Sequence, residues 1–138
     1  MQCVRDSIIH LMRGQVFEID GQRFFTMGGA SSHDIDDGIL DPNDSNYRQK
    51  KRNLNRRKAW YRINHVSWWK EELPCVGEYD EAWRNLDACD WKVNYIITHC
   101  CPSDMQEIIK QGVYLPDQLT DFFMEVKQRC SFDRWYFG

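Results

Sequence analysis

The apolar positions near the start of the chain follow the alternation that is typical of strands. Residues 16–19 and 23–27 are rich in branched and aromatic side chains, and Asp20-Gly21 separates them. An Asp-Gly pair between two such runs indicates a hairpin, because both turn positions favour a positive φ. A shorter apolar run at 7–12 suits a buried strand. These segments predict a β-hairpin near the N-terminus.

The second half of the chain predicts alternating helices and strands. Residues 93–98 form the best central strand, and 134–138 form a final strand. Ser103 and Pro116 are typical helix-start residues, and each precedes a run with helical spacing. An earlier helix is predicted by apolar residues at the same spacing, namely Tyr79, Ala82, Trp83, Leu86 and Cys89. The order predicts a mixed α/β layered domain.

Composition limits the class of protein. The chain has 138 residues, of which 14% are aromatic, so general disorder is excluded. No apolar run approaches the length of a membrane span, and the first residues lack the basic and apolar segments of a signal peptide. We therefore expect a single cytoplasmic domain over 1–138. The six cysteines include no Cys-x-x-Cys pair and are expected to be reduced thiols.

The charge is unevenly distributed. A basic segment at 48–62 contains no acidic residue, whereas the rest of the chain has 10 basic and 21 acidic residues. Its charged members are Arg48, Lys50, Lys51, Arg52, Arg56, Arg57, Lys58 and Arg62. Such a run most often marks a solvated face whose charges pair internally, and it can also contact phosphates or an acidic protein. Tyr47, Trp60 and Tyr61 flank the run and suit stacking on bases. We expect a basic insertion at about 36–66, helical over about 47–59.

Two groups of residues are candidates for chemistry. His99 follows the predicted central strand, at the edge of a sheet where α/β proteins build sites. An imidazole suits zinc or iron, although a lone histidine is more often satisfied by hydrogen bonds. His33 and Asp34 follow Gly28-Gly29 and form the second group. The alternative there is a turn that needs a glycine for positive φ, with His33 exposed.

Four segments carry a resemblance to a known family. In chain order they are Gly28-Gly29-Ala30-Ser31-Ser32-His33-Asp34, Ser67-Trp68-Trp69-Lys70-Glu71-Glu72-Leu73-Pro74, Tyr95-Ile96-Ile97-Thr98-His99-Cys100-Cys101-Pro102 and Trp135-Tyr136-Phe137-Gly138. Together they resemble the C-terminal half of calcineurin-like metallophosphoesterases, over essentially the whole chain.

The resemblance implies a partial α/β/β/α sandwich and a two-metal site with Mn, Fe or Zn at the strand ends. His99 matches the metal ligand of the family's Thr-His motif, and Gly138 matches the glycine of its final Gly-His-x-His motif. The two histidines of that last motif and the first three metal motifs have no match. If the chain is active, His33 and Asp34 are expected to line the pocket. A zinc site built from His99 with Cys100 or Cys101 is a weaker alternative, because adjacent residues of an extended segment point to opposite faces.

Three functions follow as hypotheses. The first, narrowly favoured because most metal ligands are absent, is a non-catalytic binding or inhibitor protein. It would use the basic segment together with exposed aromatic residues such as Trp60, Trp68 and Trp69. Its partner would be a protein or nucleoprotein, one instance being a host defence nuclease such as a CRISPR effector, bound by a phage-encoded inhibitor. The second is a metal-dependent phosphomonoesterase or phosphodiesterase whose site is completed by further polypeptide. The third is a gene remnant without independent function. A truncated sandwich would also expose a sheet edge, which we expect a homodimer to cover.

Overall fold

The computed structural model describes residues 2–5, 8–32, 34–110 and 116–138. The chain divides into two compact units, which are considered separately below. Unit 1 comprises Met1–Ala30 and Leu73–Gly138, and unit 2 comprises Ser31–Glu72. The basic insertion expected at about 36–66 lies inside unit 2, whose limits are wider.

The described residues form eight strands and four α-helices. The strands are β1 (Gln2–Arg5), β2 (Ile8–His10), β3 (Gln15–Ile19), β4 (Gln22–Met27), β5 (Ile39–Leu40), β6 (Arg62–Ile63), β7 (Tyr95–Thr98) and β8 (Arg134–Tyr136). The helices are α1 (Tyr47–Arg56), α2 (Val76–Ala88), α3 (Ser103–Lys110) and α4 (Gln118–Arg129), and Lys70–Glu72 add one 3-10 turn.

Unit 1 is built on a mixed four-stranded sheet with the order β3-β4-β7-β8. Strands β3 and β4 are the predicted antiparallel hairpin, while β7 and β8 run parallel to β4. Asp20 and Gly21 have φ values of 49° and 72°, as the hairpin turn requires. Because three neighbouring strands are parallel, their carboxyl ends lie at one edge of the sheet.

Helices α2 and α4 cover one face of this sheet. Phe25, Ile96 and Trp135 are aligned across β4, β7 and β8, so their side chains share that face. Phe25 and Ile96 are fully buried, and Trp135 packs against the same core. The helices contribute Tyr79, Ala82, Leu86, Leu119, Phe122, Phe123 and Val126. The apolar spacing predicted for both helices is therefore confirmed.

The opposite face of the sheet carries an aromatic row. The rings of Phe24 and Tyr95 stack with centroids 4.8 Å apart, and Tyr95 and Tyr136 stack at 6.3 Å. At the β7–β8 end this face is accessible, since Ile97 is 38% and Tyr136 is 49% exposed. The two faces of the sheet thus differ: one is filled by helices, and part of the other meets solvent.

Unit 2 has little apolar core. Strands β5 and β6 pair in parallel over two residues each, and α1 lies between them in the chain. Leu40 and Leu54 are the buried hydrophobic residues in the described part of this unit. The predicted basic helix is confirmed, and it ends at Arg56, where Arg57 donates its backbone N–H to the Asn53 carbonyl at 3.3 Å.

One expectation about burial is wrong. A strand is present at Ile8–His10, within the predicted 7–12 run, but Ile8 and Ile9 are 50% and 52% exposed. The reason is topological: β2 pairs with β1 in a separate two-stranded sheet and has no place in the sheet that the helices cover. A short apolar run cannot reveal which sheet a strand will join.

The mixed α/β class is confirmed, with a mixed sheet and helices on one of its faces. The four-layer sandwich that the resemblance implies stays a prediction. None of the helices in the described residues is long and apolar enough to cross a bilayer.

Candidate functional site

The carboxyl ends of β4, β7 and β8 come together in unit 1. The thiol of Cys100, just after β7, donates to the carbonyl oxygen of Gly29, just after β4, with a sulfur–oxygen distance of 3.4 Å. The backbone N–H of Gly138, just after β8, donates to the carbonyl of His99 at 3.2 Å. Gly29 has a φ of 123°, which favours glycine at this position. Three chain segments distant in sequence therefore meet at one edge.

Thr98 fixes the backbone from which the His99 side chain extends. The buried hydroxyl of Thr98 donates to the Cys100 carbonyl at 2.6 Å and accepts a hydrogen bond from Nε1 of Trp135 at 2.8 Å. These bonds tie the turn after β7 to the neighbouring strand β8. The His99 side chain is exposed at that turn. An exposed imidazole on a fixed backbone is available to a metal ion or to a proton donor or acceptor.

Sequence reasoning overlooked the roles of Thr98 and Trp135. Thr98 lies two residues after Ile96 and therefore faces the helix-covered side of the sheet. A polar residue at a buried strand position needs a hydrogen-bond partner. The buried strand position of Thr98 could therefore have been noticed from the sequence. Its partner could not, because the contact with Trp135 depends on the pairing of β7 with β8.

The cysteines beside His99 are protonated thiols in the metal-free chain. Burial raises the pKa of the Cys100 thiol to about 11, and the nearby Asp117 and Cys101 add to that rise. Burial also raises the pKa of Cys101. Metals bind the thiolate form, which these raised pKa values disfavour. The zinc alternative with Cys100 or Cys101 stays a prediction.

Metal-ligating side chains do not cluster in the described residues. No group of three or more histidine, cysteine, aspartate or glutamate side chains that could hold a metal ion occurs among them. The five cysteines whose side chains are described are free thiols, as expected, although Cys75 is exposed. One exposed imidazole does not fit a two-metal centre, so the described residues alone do not form one.

The second candidate group belongs to unit 2. His33 lies outside the described residues. The carboxylate of Asp34 forms an ion pair with Arg62, and this hydrogen bond raises the pKa of the Arg62 guanidinium. Asp34 is thus engaged with a member of the basic segment.

The basic segment is divided between paired and unpaired charges. Lys50 pairs with Asp44, Arg57 pairs with Asp37 at 2.7 Å, and Arg62 pairs with Asp34. The expectation of internal pairing therefore holds for these three residues. Five basic side chains form no ion pair with a described residue, namely Arg48, Lys51, Arg52, Arg56 and Lys58.

The aromatic residues around the basic segment differ in exposure. Trp60 is 60% exposed and Trp69 is 41% exposed, whereas Tyr61 is half-buried. Lys51 lies over the Tyr47 ring, 5.5 Å from its centroid. Trp60 is therefore the aromatic member of the predicted binding set that is most open to a partner.

Comparisons of this chain with protein-family models, with curated proteins and with solved structures find no match. The function is therefore argued from the residues and their geometry.

Proposed function

We propose that this chain contributes part of a metal-dependent phosphoesterase site, in which His99 is one metal ligand. The observation that carries the proposal is the hydrogen bond from the Gly138 N–H to the His99 carbonyl. This bond brings the backbones of His99 and Gly138 together, and the resemblance assigns these two positions to separate metal motifs. They lie at the carboxyl edge of parallel strands, where α/β proteins bind ligands.

The remaining ligands must come from elsewhere, since no three-ligand group exists among the described residues. Polypeptide other than this chain is their candidate source. Within the chain, the task of Thr98 and Trp135 is to fix the turn that presents the imidazole. Their hydrogen bonds act on the backbone of the turn, so Thr98 and Trp135 are positioning residues for the imidazole.

Hydrolysis of an aryl phosphodiester with Mn²⁺ tests the proposal. Where the purified chain shows turnover, we expect His99→Ala to lower it by more than about 100-fold, which is more than the loss of a group that only supports a metal ligand typically costs. The matched control is His10→Ala, because His10 is also exposed and lies in β2. Turnover that survives in His99→Ala would overturn the assignment of His99.

If the purified chain shows no turnover, its metal binding is measured instead. Zn²⁺ should shift the imidazole NMR signals of His99 at a lower concentration than those of His10, if further ligands lie beside His99. Equal responses of the two histidines would remove the support for a metal site in this chain. The non-catalytic hypothesis would then take its place.

Non-catalytic binding is the second candidate function. The observation that favours it is the group of five basic side chains in unit 2 without an ion-pair partner among the described residues. The narrower hypotheses, an inhibitor of a defence nuclease and a homodimer that covers the sheet, stay predictions.

A further inference from the structure

Three arginines that form no ion pair with a described residue lie along one side of helix α1. Arg48, Arg52 and Arg56 follow one another at intervals of four residues, so they lie on one side of the helix, about 6 Å apart along its axis. All three side chains are exposed. Arg56 donates to the neutral Asn53 amide oxygen at 3.3 Å, and no carboxylate among the described residues pairs with any of the three. We call these three residues the arginine flank.

The other basic residues of unit 2 show why the flank is distinctive. Lys50, on the opposite side of α1, is neutralised by Asp44, and the pKa of that carboxyl is lowered chiefly by its hydrogen bond with Lys50. Arg57, beyond the helix, pairs with Asp37. The acidic residues of unit 2 thus neutralise Lys50, Arg57 and Arg62, whereas the flank, like Lys51 and Lys58, forms no ion pair with a described residue.

An aromatic ring is held beside the flank. The Tyr61 hydroxyl donates to the side-chain oxygen of Asn55 at 2.6 Å. Asn55 lies three residues after Arg52, on the same side of the helix. The adjacent Trp60 is 60% exposed, and its backbone N–H is anchored by the Asp37 carboxylate at 2.8 Å. Cationic and aromatic groups therefore occur together at the C-terminal end of α1.

We infer that the arginine flank, with Tyr61 and Trp60, binds single-stranded nucleic acid. Guanidinium groups bind phosphates through paired, charge-assisted hydrogen bonds, and a row of them can follow a phosphodiester backbone. Aromatic side chains beside such a row stack on unpaired bases without sequence preference. The inference does not depend on His99.

An acidic protein is the less favoured partner. Interfaces with proteins usually have a desolvated apolar centre. The residues between the arginines include Gln49, Asn53 and Asn55, which are polar and exposed, and Leu54 is the buried residue of α1. The flank therefore offers charge and hydrogen bonds, with Trp60 as the exposed aromatic group nearby.

Fluorescence anisotropy with labelled oligothymidylate of about 20 nucleotides, long enough for a typical site, tests the inference. We expect Arg48→Gln, Arg52→Gln and Arg56→Gln together to flatten the slope of log affinity against log salt by about 2, since each phosphate contact on a single strand contributes about 0.7. The charge-matched control is the triple variant Arg23→Gln, Arg84→Gln and Lys92→Gln in unit 1, whose side chains are also exposed. It should bind like the unmodified chain.

Two further variants and a folding control complete this experiment. Trp60→Ser should weaken binding by about 5- to 100-fold through lost stacking, while the salt slope stays unchanged. His99→Ala should bind normally, so a failure of this inference is distinguishable from a failure of the proposed phosphoesterase. Circular dichroism of each variant confirms folding. Absence of binding, an unchanged salt slope in the flank variant, or equal competition by polyglutamate at equal charge would overturn the inference.

Discussion

The two units of this chain are stabilised by different interactions. Unit 1 contains all thirteen residues of the main hydrophobic core, including Phe25, Ile96 and Phe123, which are fully inaccessible. In unit 2, Leu40 and Leu54 are the buried hydrophobic residues of the described part, each 8% exposed. Apolar burial drives folding in proportion to the area removed from water. Unit 1 should therefore be stable under conditions that weaken unit 2.

Polar contacts replace the missing core in unit 2. Asp37 and Trp60 exchange backbone and side-chain hydrogen bonds, and Asp37 also holds Arg57. Asp44 accepts from the Asn46 backbone and pairs with Lys50. Exposed ion pairs contribute little stability and are screened by salt. The comparison teaches that charge in unit 2 is of two kinds, since some basic side chains pair with acids of the same unit and the arginine flank forms no ion pair with a described residue.

The largest expected effect is loss of a core side chain in unit 1. Phe123 is fully buried, and its ring packs on Phe122 at 5.7 Å and edge-on against Trp135 at 5.8 Å. Phe123→Ala should lower the free energy of unfolding by about 3–5 kcal/mol, through lost burial and the cavity left behind. Urea denaturation followed by near-UV circular dichroism measures the change. A loss below about 1 kcal/mol would contradict the assignment of this core, because such small changes are typical of surface positions.

A smaller effect is expected from a polar contact in unit 2. Asp37→Ala removes the acceptor of the Trp60 N–H and the partner of Arg57. The expected cost is about 1–2 kcal/mol, confined to unit 2, because hydrogen bonds to charged groups are stronger than neutral ones. The loss is measured as faster hydrogen exchange of the Trp60 and Arg62 amides, whereas exchange of the amides in β7 should be unchanged. Asp36→Ala is the control, since Asp36 is exposed and forms no ion pair with a described residue.

The smallest expected effect is a dependence on pH in unit 2. The hydrogen bonds from Lys50 and the Asn46 backbone lower the pKa of Asp44 from its usual 3.8. A lowered pKa in the folded state means that this contribution to stability is present above pH 3.8 and is lost as the pH falls through the folded-state pKa. The protection factors of amides at the start of α1, which are their exchange rates corrected for the intrinsic effect of pH, should therefore fall in acid. Lys50→Gln should reduce that response, and an identical response in this variant would remove Lys50 as the cause.

Local patterns were sufficient to predict several elements of the fold. The hairpin around Asp20-Gly21 follows from turn chemistry, and α4 follows from apolar residues three and four positions apart. The burial of Ile8 and Ile9 was predicted wrongly, because an apolar run specifies a strand without specifying its neighbour. His99 was identified as a candidate from its place after a strand, whereas its supporting residues Thr98 and Trp135 were not.

The sequence by itself determined the elements whose cause lies within a few residues: the Asp20-Gly21 turn, the apolar faces of α2 and α4, and the concentration of positive charge at 48–62. Only the tertiary structure decided which members of the segment form ion pairs, because Asp37 and Asp34 precede β5 whereas their partners Arg57 and Arg62 follow α1. It also decided that Gly138 meets His99, since this contact depends on β8 pairing in parallel with β7. Short-range sterics and periodicity can be read along a chain, whereas contacts between distant segments depend on how strands are ordered and charges are brought together.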